Sequence, residues 1–252
     1  MLAIFMVLFM VFDTTNSFPT INYTVSNCFE SSNTYPLNSS YETNVNKLLP
    51  TLVSEISTTK HGFLTHKQQG PDNQDPAYGL ALCRGDVMPD DCRNCVEMAS
   101  KEVITACPRA TQALIWKEDC MVRYSDQSFF SLLEENPHQV LYNYDKATDD
   151  ADNWVKLVND TLSEVASTAA ASNKSGNKFA TKETYVSSLN KHLYTLAQCN
   201  PDLTTEDCNM CFLVANSRLQ VWLSHRGGIL LTPTCAIRFE VYEFYNNSGY
   251  VF

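Results

Sequence analysis

Cys83-Arg84-Gly85-Asp86-Val87-Met88-Pro89-Asp90-Asp91-Cys92-Arg93-Asn94-Cys95 returns 116 positions later as Cys199-Asn200-Pro201-Asp202-Leu203-Thr204-Thr205-Glu206-Asp207-Cys208-Asn209-Met210-Cys211. The shared spacing is Cys-x8-Cys-x2-Cys, and the flanks agree as well. Ala77-Tyr78-Gly79-Leu80-Ala81 faces Leu193-Tyr194-Thr195-Leu196-Ala197, Asp86 and Asp91 face Asp202 and Asp207, and Cys120-Met121-Val122-Arg123-Tyr124 answers Cys235-Ala236-Ile237-Arg238-Phe239. The chain is one cysteine-stapled module written twice.

Working outward, Val45, Leu48, Leu49, Leu52, Val53 and Ile56 follow the helical period and predict a core-facing helix over Tyr41–Ser57. Phe63–Lys67 and Ala77–Cys83 read as strands around the turn residues Gly70-Pro71-Asp72-Asn73. Pro89 in a first turn, Asp90 and Asp91 at the positive end of the dipole, and Pro108 beyond the end frame a second helix from Asp90 to Ala106. Strands then resume at Ala113–Lys117 and Cys120–Tyr124. The second module repeats the order: a helix through Trp154, Leu157, Val158, Leu162 and Val165, strands at Lys178–Tyr185 and His192–Cys199, a helix opened by Thr204 and Asp207 as a capping box, and strands at Ile229–Thr232 and Cys235–Phe244. The expected fold class is α+β: two tandem modules, each an antiparallel β-sheet with two α-helices on one face. The expected domains are 18–144 and 152–252, with the acidic segment 145–151 as linker.

Residues 1–17 read as a secretory signal: an apolar run of 11, Leu2 to Phe12, is followed by Thr15 and Ser17 at the −3 and −1 positions of a cleavage before Phe18. No Lys or Arg precedes the run, which departs from the usual pattern, and the run is too short to span a membrane. Loss of Asp13 with the leader changes the net charge from −10 to −9. With no Lys/Arg cluster, that balance argues against nucleic acid and anionic membrane surfaces as partners. Acceptor sequons stand at Asn22, Asn38, Asn159, Asn173 and Asn246, as suits a secreted, extracellular chain without a later membrane span.

Ten cysteines in such a chain imply five disulfides. Module one holds Cys28, Cys83, Cys92, Cys95, Cys107 and Cys120, while module two holds counterparts of four, Cys199, Cys208, Cys211 and Cys235. If connectivity is shared, the two without counterparts pair with each other. That makes Cys28–Cys107 a bond and reduces fifteen arrangements to three. Leu223 occupies the place of Cys107. Pairing Cys92 with Cys95 would close a loop within one helical turn, where disulfide geometry is hard to meet. Zinc is a poor alternative, because the two CxxC pairs are more than a hundred residues apart, where zinc ribbons use about 15–20. No metal and no cofactor is expected.

These features resemble the ginkbilobin-homologous, or stress-antifungal, domain of land plants: Cys-x8-Cys-x2-Cys, Ala81-Leu82-Cys83-Arg84-Gly85-Asp86, Cys107-Pro108 and Cys120-x2-Arg123-Tyr124-Ser125. In tandem behind a signal peptide they are similar to cysteine-rich repeat secretory proteins. The resemblance implies bonds Cys28–Cys107, Cys83–Cys92, Cys95–Cys120, Cys199–Cys208 and Cys211–Cys235. It also implies where mannose would be held: an Asn just after the first cysteine, an Arg six residues before the last, and a Glu five after it. Module one has Phe29, Leu114 and Ser125 there. Module two has Ile229 at the Arg position, lacks the first cysteine, and keeps Glu240 as the one remnant.

Nothing looks catalytic. The histidines are scattered at 61, 66, 138, 192 and 225, and no nucleophile elbow, phosphate loop or metalloprotease signature occurs. Arg84-Gly85-Asp86 spells an adhesion tripeptide but is expected to close the loop between Cys83 and Cys92. Arg123 and Arg238, each before an aromatic, are expected to stack structurally. The expected function is non-enzymatic recognition in the plant apoplast, in stress or defence, of an extracellular protein or a cell-wall glycan. Self-association or hetero-association is left open. A mannose-binding antifungal lectin is the alternative, and a thiol redox sensor, which needs an unpaired cysteine, a further one.

Overall fold

Alternating apolar residues build two five-stranded antiparallel sheets from the two halves of the chain. The structure is a computed structural model, and the described residues are 23–29, 33–70, 74–171, 176–187 and 189–246. The leader 1–17, Asn22 and Asn173 lie outside them. The first half runs β1 (Thr24–Asn27), α1 (Ser40–Glu55), β2 (Phe63–Gln68), β3 (Ala77–Cys83), α2 (Pro89–Ala106), β4 (Gln112–Lys117) and β5 (Cys120–Ser125). The second runs β6 (Gln139–Tyr142), α3 (Ala151–Ala170), β7 (Phe179–Val186), β8 (Lys191–Cys199), α4 (Thr205–Leu219), β9 (Gly227–Leu231) and β10 (Cys235–Glu240). The strand orders β1-β4-β5-β3-β2 and β6-β9-β10-β8-β7 are the same topology twice.

Helix caps follow local chemistry. Ser39 accepts from the Glu42 amide at 3.2 Å, and Thr204 accepts from the Asp207 amide at 3.0 Å. Val45, Leu48, Leu49, Leu52 and Ile56 are buried against Ala81, Val96 and Val122, and Val158, Leu162 and Val165 do the same in the second half against Leu193, Phe212 and Ile237. Each fully buried Leu or Ile contributes about 1.5–3 kcal/mol. Five disulfides staple the halves internally: Cys28–Cys107, Cys83–Cys92, Cys95–Cys120, Cys199–Cys208 and Cys211–Cys235. No cysteine is free, so the thiol sensor has no thiol to use.

Two expectations are corrected. β1 and β6 give no periodic signal in the sequence, because each is a four-residue strand at a sheet edge. β6 pairs with β9, which places Gln139–Tyr142 in the second sheet, whereas the expected first module, 18–144, includes it. The segment 145–151 is not the crossing either: Lys146 bridges His225, and Ala147 donates to the Ser224 carbonyl at 3.1 Å. The chain crosses between sheets over 126–138, and that segment is held by both. Phe129 is buried between the sheets, Arg123 Nη1 lies 2.5 Å from Glu134 Oε2, and Thr234 Oγ1 donates to the Glu134 carbonyl at 2.7 Å. The Ser131 amide donates to Asp202 Oδ2 at 2.6 Å, and Arg218 Nη1 donates to the Glu135 carbonyl at 2.6 Å.

The faces that carry no helices pack on each other. Leu80, Leu114, Trp116 and Met121 of the first sheet meet Ile229 and Leu231 of the second, with Phe129 beside them. The molecule is therefore layered helix, sheet, sheet, helix. Polar anchors cross the seam: Trp116 Nε1 donates to the Thr232 carbonyl at 3.1 Å, and Gln198 Nε2 donates to the Cys83 carbonyl at 2.9 Å.

Candidate functional site

The period of two in the strands decides which side chains enter the seam. Along β10, Ile237 and Phe239 face the helices, so Arg238 and Glu240 face the other sheet. Both are enclosed, at 3% and 2% exposure. Arg238 Nη1 donates to Glu118 Oε1 at 2.5 Å, its Nε donates to Glu240 Oε1 at 3.1 Å, and its guanidinium lies 4.1 Å over the Phe244 ring. Glu118 comes from the turn after β4, so this ion pair joins the two halves across 120 positions of sequence.

Glu118 also serves Arg84, whose Nη1 donates to it at 2.9 Å. The same guanidinium grips Asp86 in fork geometry, Nε to Oδ1 at 2.6 Å and Nη2 to Oδ2 at 3.0 Å. Asp86 further accepts from the Asn246 amide at 2.7 Å, which ties down the end of the second half. The Arg84-Gly85-Asp86 tripeptide is thus committed internally, and its glycine lies under the Phe179 ring, where a Cβ would sit 2.4 Å from Cγ. Arg123, the counterpart of Arg238, stacks 3.9 Å from the Phe129 ring centre and pairs with Glu134. The expected stacking roles of both arginines are present.

Electrostatically the junction is lopsided. Burial opposes the charge of Arg238, and Glu118 and Glu240 outweigh that, so its proton is held more tightly than usual. Burial pushes the Glu240 carboxyl up to about 7, against the pull of Arg238 and a hydrogen bond with Tyr242, while the Glu118 charge adds to the rise. The folded state therefore binds this proton more tightly than an unfolded chain, where the value is 4.5. The stability it contributes is complete below about pH 4.5 and is lost as pH rises through 7. Wild type is expected to lose stability relative to Glu240→Gln between pH 5 and pH 8, read as the difference in their melting temperatures. A difference that stays flat with pH removes Glu240 from the account.

The sugar positions implied by the resemblance lie in the same seam. Leu114 and Ile229 are apolar members of it, and Ser125 is buried, its Oγ accepting from the Gln127 amide at 3.0 Å. Phe29 packs under the Arg123 guanidinium at 5.1 Å. Glu240, the expected remnant, is spent on Arg238, and its Oε2 lies 1.6 Å from where a Cβ on Gly227 would stand. Strand register also supplies what the missing cysteine concealed. Asn27 faces Leu114 and Leu141 faces Ile229, so Tyr142 holds the place of Cys28 and Asn143 that of Phe29. Tyr142 stacks on Trp222 at 3.7 Å, while Leu223 is fully buried, so ring stacking and apolar packing stand where module one has a disulfide. Asn143 donates its amide to the Gly227 carbonyl at 2.9 Å, which places an Asn and Glu240 on either side of one glycine.

The seam holds a cavity of about 70 Å³ lined by Leu82, Trp116, Met121, Leu196, Ile229 and Arg238. That is far below the roughly 300–1,000 Å³ of ligand pockets. Among the sequons, Asn38 and Asn246 are exposed, whereas Asn159 sits half-buried in α3. No group of metal-binding residues occurs among the described residues, and no described helix is long and apolar enough to cross a membrane.

A family model described as salt stress response/antifungal matches residues 27–127 and 142–242. The cysteine-rich receptor-like protein kinase 25 of Arabidopsis thaliana is 36% identical over 246 residues, covering 96% of this chain and 35% of that protein. The putative cysteine-rich receptor-like protein kinase 9 of the same plant is 34% identical over 221 residues, covering 85% of this chain and 80% of that one. The chain spans about a third of the length of most of the curated relatives it matches. Among solved structures, the tandem DUF26 ectodomain of the Arabidopsis thaliana cysteine-rich receptor-like protein PDLP8 gives a TM-score of 0.72 at 22% identity, covering 87% of this chain and 98% of that one. The corresponding ectodomain of PDLP5 gives 0.69 at 24%, covering 88% and 100%. The second matched segment opens at Tyr142, within β6, in keeping with the register above.

Proposed function

Because the chain belongs to the salt stress response/antifungal family, with the domain in tandem, we propose that it is a non-enzymatic recognition protein of the extracellular space, acting by contact with another extracellular protein or a cell-wall component. One observation carries the reading. Of the six residues at the implied mannose positions, Leu114, Ser125, Ile229 and Glu240 are buried and Phe29 and Asn143 half-buried, so recognition falls to the outer helical faces and loops.

Mannan titrated into the mature protein is expected to give no saturable heat. Sugar hydroxyls buried without partners would cost about 1–3 kcal/mol each, and the apolar Leu114 and Ile229 offer none. In parallel, a binding screen against extracellular proteins and cell-wall glycans should return partners whose binding is blocked by substitutions on the outer faces. The lectin reading has one observation in its favour, Asn143 and Glu240 flanking Gly227. Tight mannan binding lost in Asn143→Ala and Glu240→Ala would establish it instead.

A further inference from the structure

The internal duplication supplies a control for one groove. On the outer face of module one, α1 and α2 part to form a cleft of about 610 Å³, within the size range of small-molecule sites. Its walls are mainly apolar, with Leu49, Pro50 and Val53 on α1 and Ile104 on α2. Also lining it is Ser100, a residue 7% exposed whose Oγ has no hydrogen-bond partner. A buried hydroxyl without a partner is costly, and in a native fold it asks for an explanation.

Module two carries different residues at the same places. The buried stripes align Tyr41, Val45 and Leu49 of α1 with Trp154, Val158 and Leu162 of α3, which makes Asn159 the counterpart of Asn46. The cysteine spacing makes Asn216 and Gln220 the counterparts of Ser100 and Ile104. There the helices are clamped: Asn216 Nδ2 donates to Asn159 Oδ1 at 2.9 Å, and Gln220 Nε2 donates to the same oxygen at 2.7 Å. Module one keeps the Asn on α1 and replaces both clamping partners, one by a hydroxyl and one by an apolar wall. Its rim holds Arg93 and Lys101 around Glu97, a net charge of +1, and Lys101 is paired with Glu97 at 2.6 Å. Arg93 is exposed beside that pair and makes no close ion pair among the described residues, although its charge also bears on Glu97.

We infer that the α1–α2 groove of module one binds a small amphipathic carboxylate, its apolar body on Leu49, Val53 and Ile104, and its head at the exposed Arg93. The inference does not depend on which extracellular partner the protein recognises. Octanoate is the probe, with octan-1-ol as its uncharged analogue, titrated into the full mature chain by calorimetry. Saturable octanoate binding is expected. Ser100→Asn with Ile104→Gln installs the module-two clamp opposite Asn46 and should weaken octanoate at least tenfold. Val53→Trp fills the groove from the other wall and should do the same, with melting temperature and disulfide mapping showing that each variant folds. Arg93→Gln should weaken octanoate about fivefold and leave octan-1-ol unchanged. The absence of saturable octanoate binding to wild type overturns the proposal, as does binding equally strong in both groove-closing variants. Equal affinity for acid and alcohol, insensitive to Arg93→Gln, overturns the assignment of an anionic head.

Discussion

Arg238→Ala is expected to destabilise the protein by about 3–5 kcal/mol, because it strands the enclosed Glu240 carboxylate and leaves Glu118 to Arg84 alone. Losing a buried pair's partner costs more than the pair itself contributes, since the charge left behind has neither water nor a counter-ion. For a chain of this size such a loss lowers the melting temperature by roughly 10 °C or more. The size of the loss should itself depend on pH. Near pH 5 Glu240 escapes by taking a proton, so the variant should suffer less there than at pH 8. Adding Glu240→Gln to the variant should restore part of the stability at pH 8, measured by denaturant melts. Arg238→Lys should not substitute well, because an ammonium cannot fork between two carboxylates while lying flat on Phe244. A loss below about 1 kcal/mol in Arg238→Ala would place the junction among ordinary surface ion pairs.

The second large effect concerns separation of the halves. Residues 138–252, which keep β6, α3 and α4 and both of their disulfides, are expected to melt well below the full chain or to aggregate. Cutting at 138 exposes Ile229 and Leu231, and an uncovered apolar sheet face of that kind is a site of association. The half also lacks a counterpart of Cys28–Cys107, which closes a loop of 79 positions. In the chain-entropy model that bond is worth roughly 4 kcal/mol, a large share of the 5–15 kcal/mol by which a domain is stable. Supplying residues 18–137 in trans should recover part of the lost melting temperature. Identical melting of the free half and the intact protein would mean that the seam contributes nothing.

Much of the module was readable because its determinants are local. Helix α2 announced itself through Pro89, Asp90 and Asp91 at one end and Pro108 beyond the other, and the observed Pro89–Ala106 differs from the expected Asp90–Ala106 by one residue. The strands β3 and β8 carry the cysteines that serve as rulers. β1 and β6 carry too few residues to display alternation, and β6 lies on the far side of a boundary drawn from acidic composition, in which Asp145 pairs with Arg226 of the second half. The last strand is expected to reach Phe244 and stops at Glu240, because Tyr242 and Phe244 turn back onto Arg238. The seam itself left little local signal. Whether Arg238 meets a ligand or a carboxylate depends on Glu118, 120 positions away, and on which strand face looks inward. Asn143 was hidden for a related reason: with Tyr142 standing where the first cysteine would be, counting from cysteines had no origin, and only the pairing of β6 with β9 restores it.

The crossing segment 126–138 has a consequence for how such a gene can be recombined. Glu134 serves Arg123 in the first half and Thr234 in the second, and Ser131 and Glu135 reach Asp202 and Arg218. A chimera spliced anywhere in that stretch inherits one set of contacts and forfeits the other, and it must also match Glu118 from one parent to Arg238 from another. The two repeats, though near copies in topology, are therefore transmissible only as a matched pair: a half borrowed from a sister gene should be tolerated when the lender keeps both ends of the crossing segment, and should misfold when it does not.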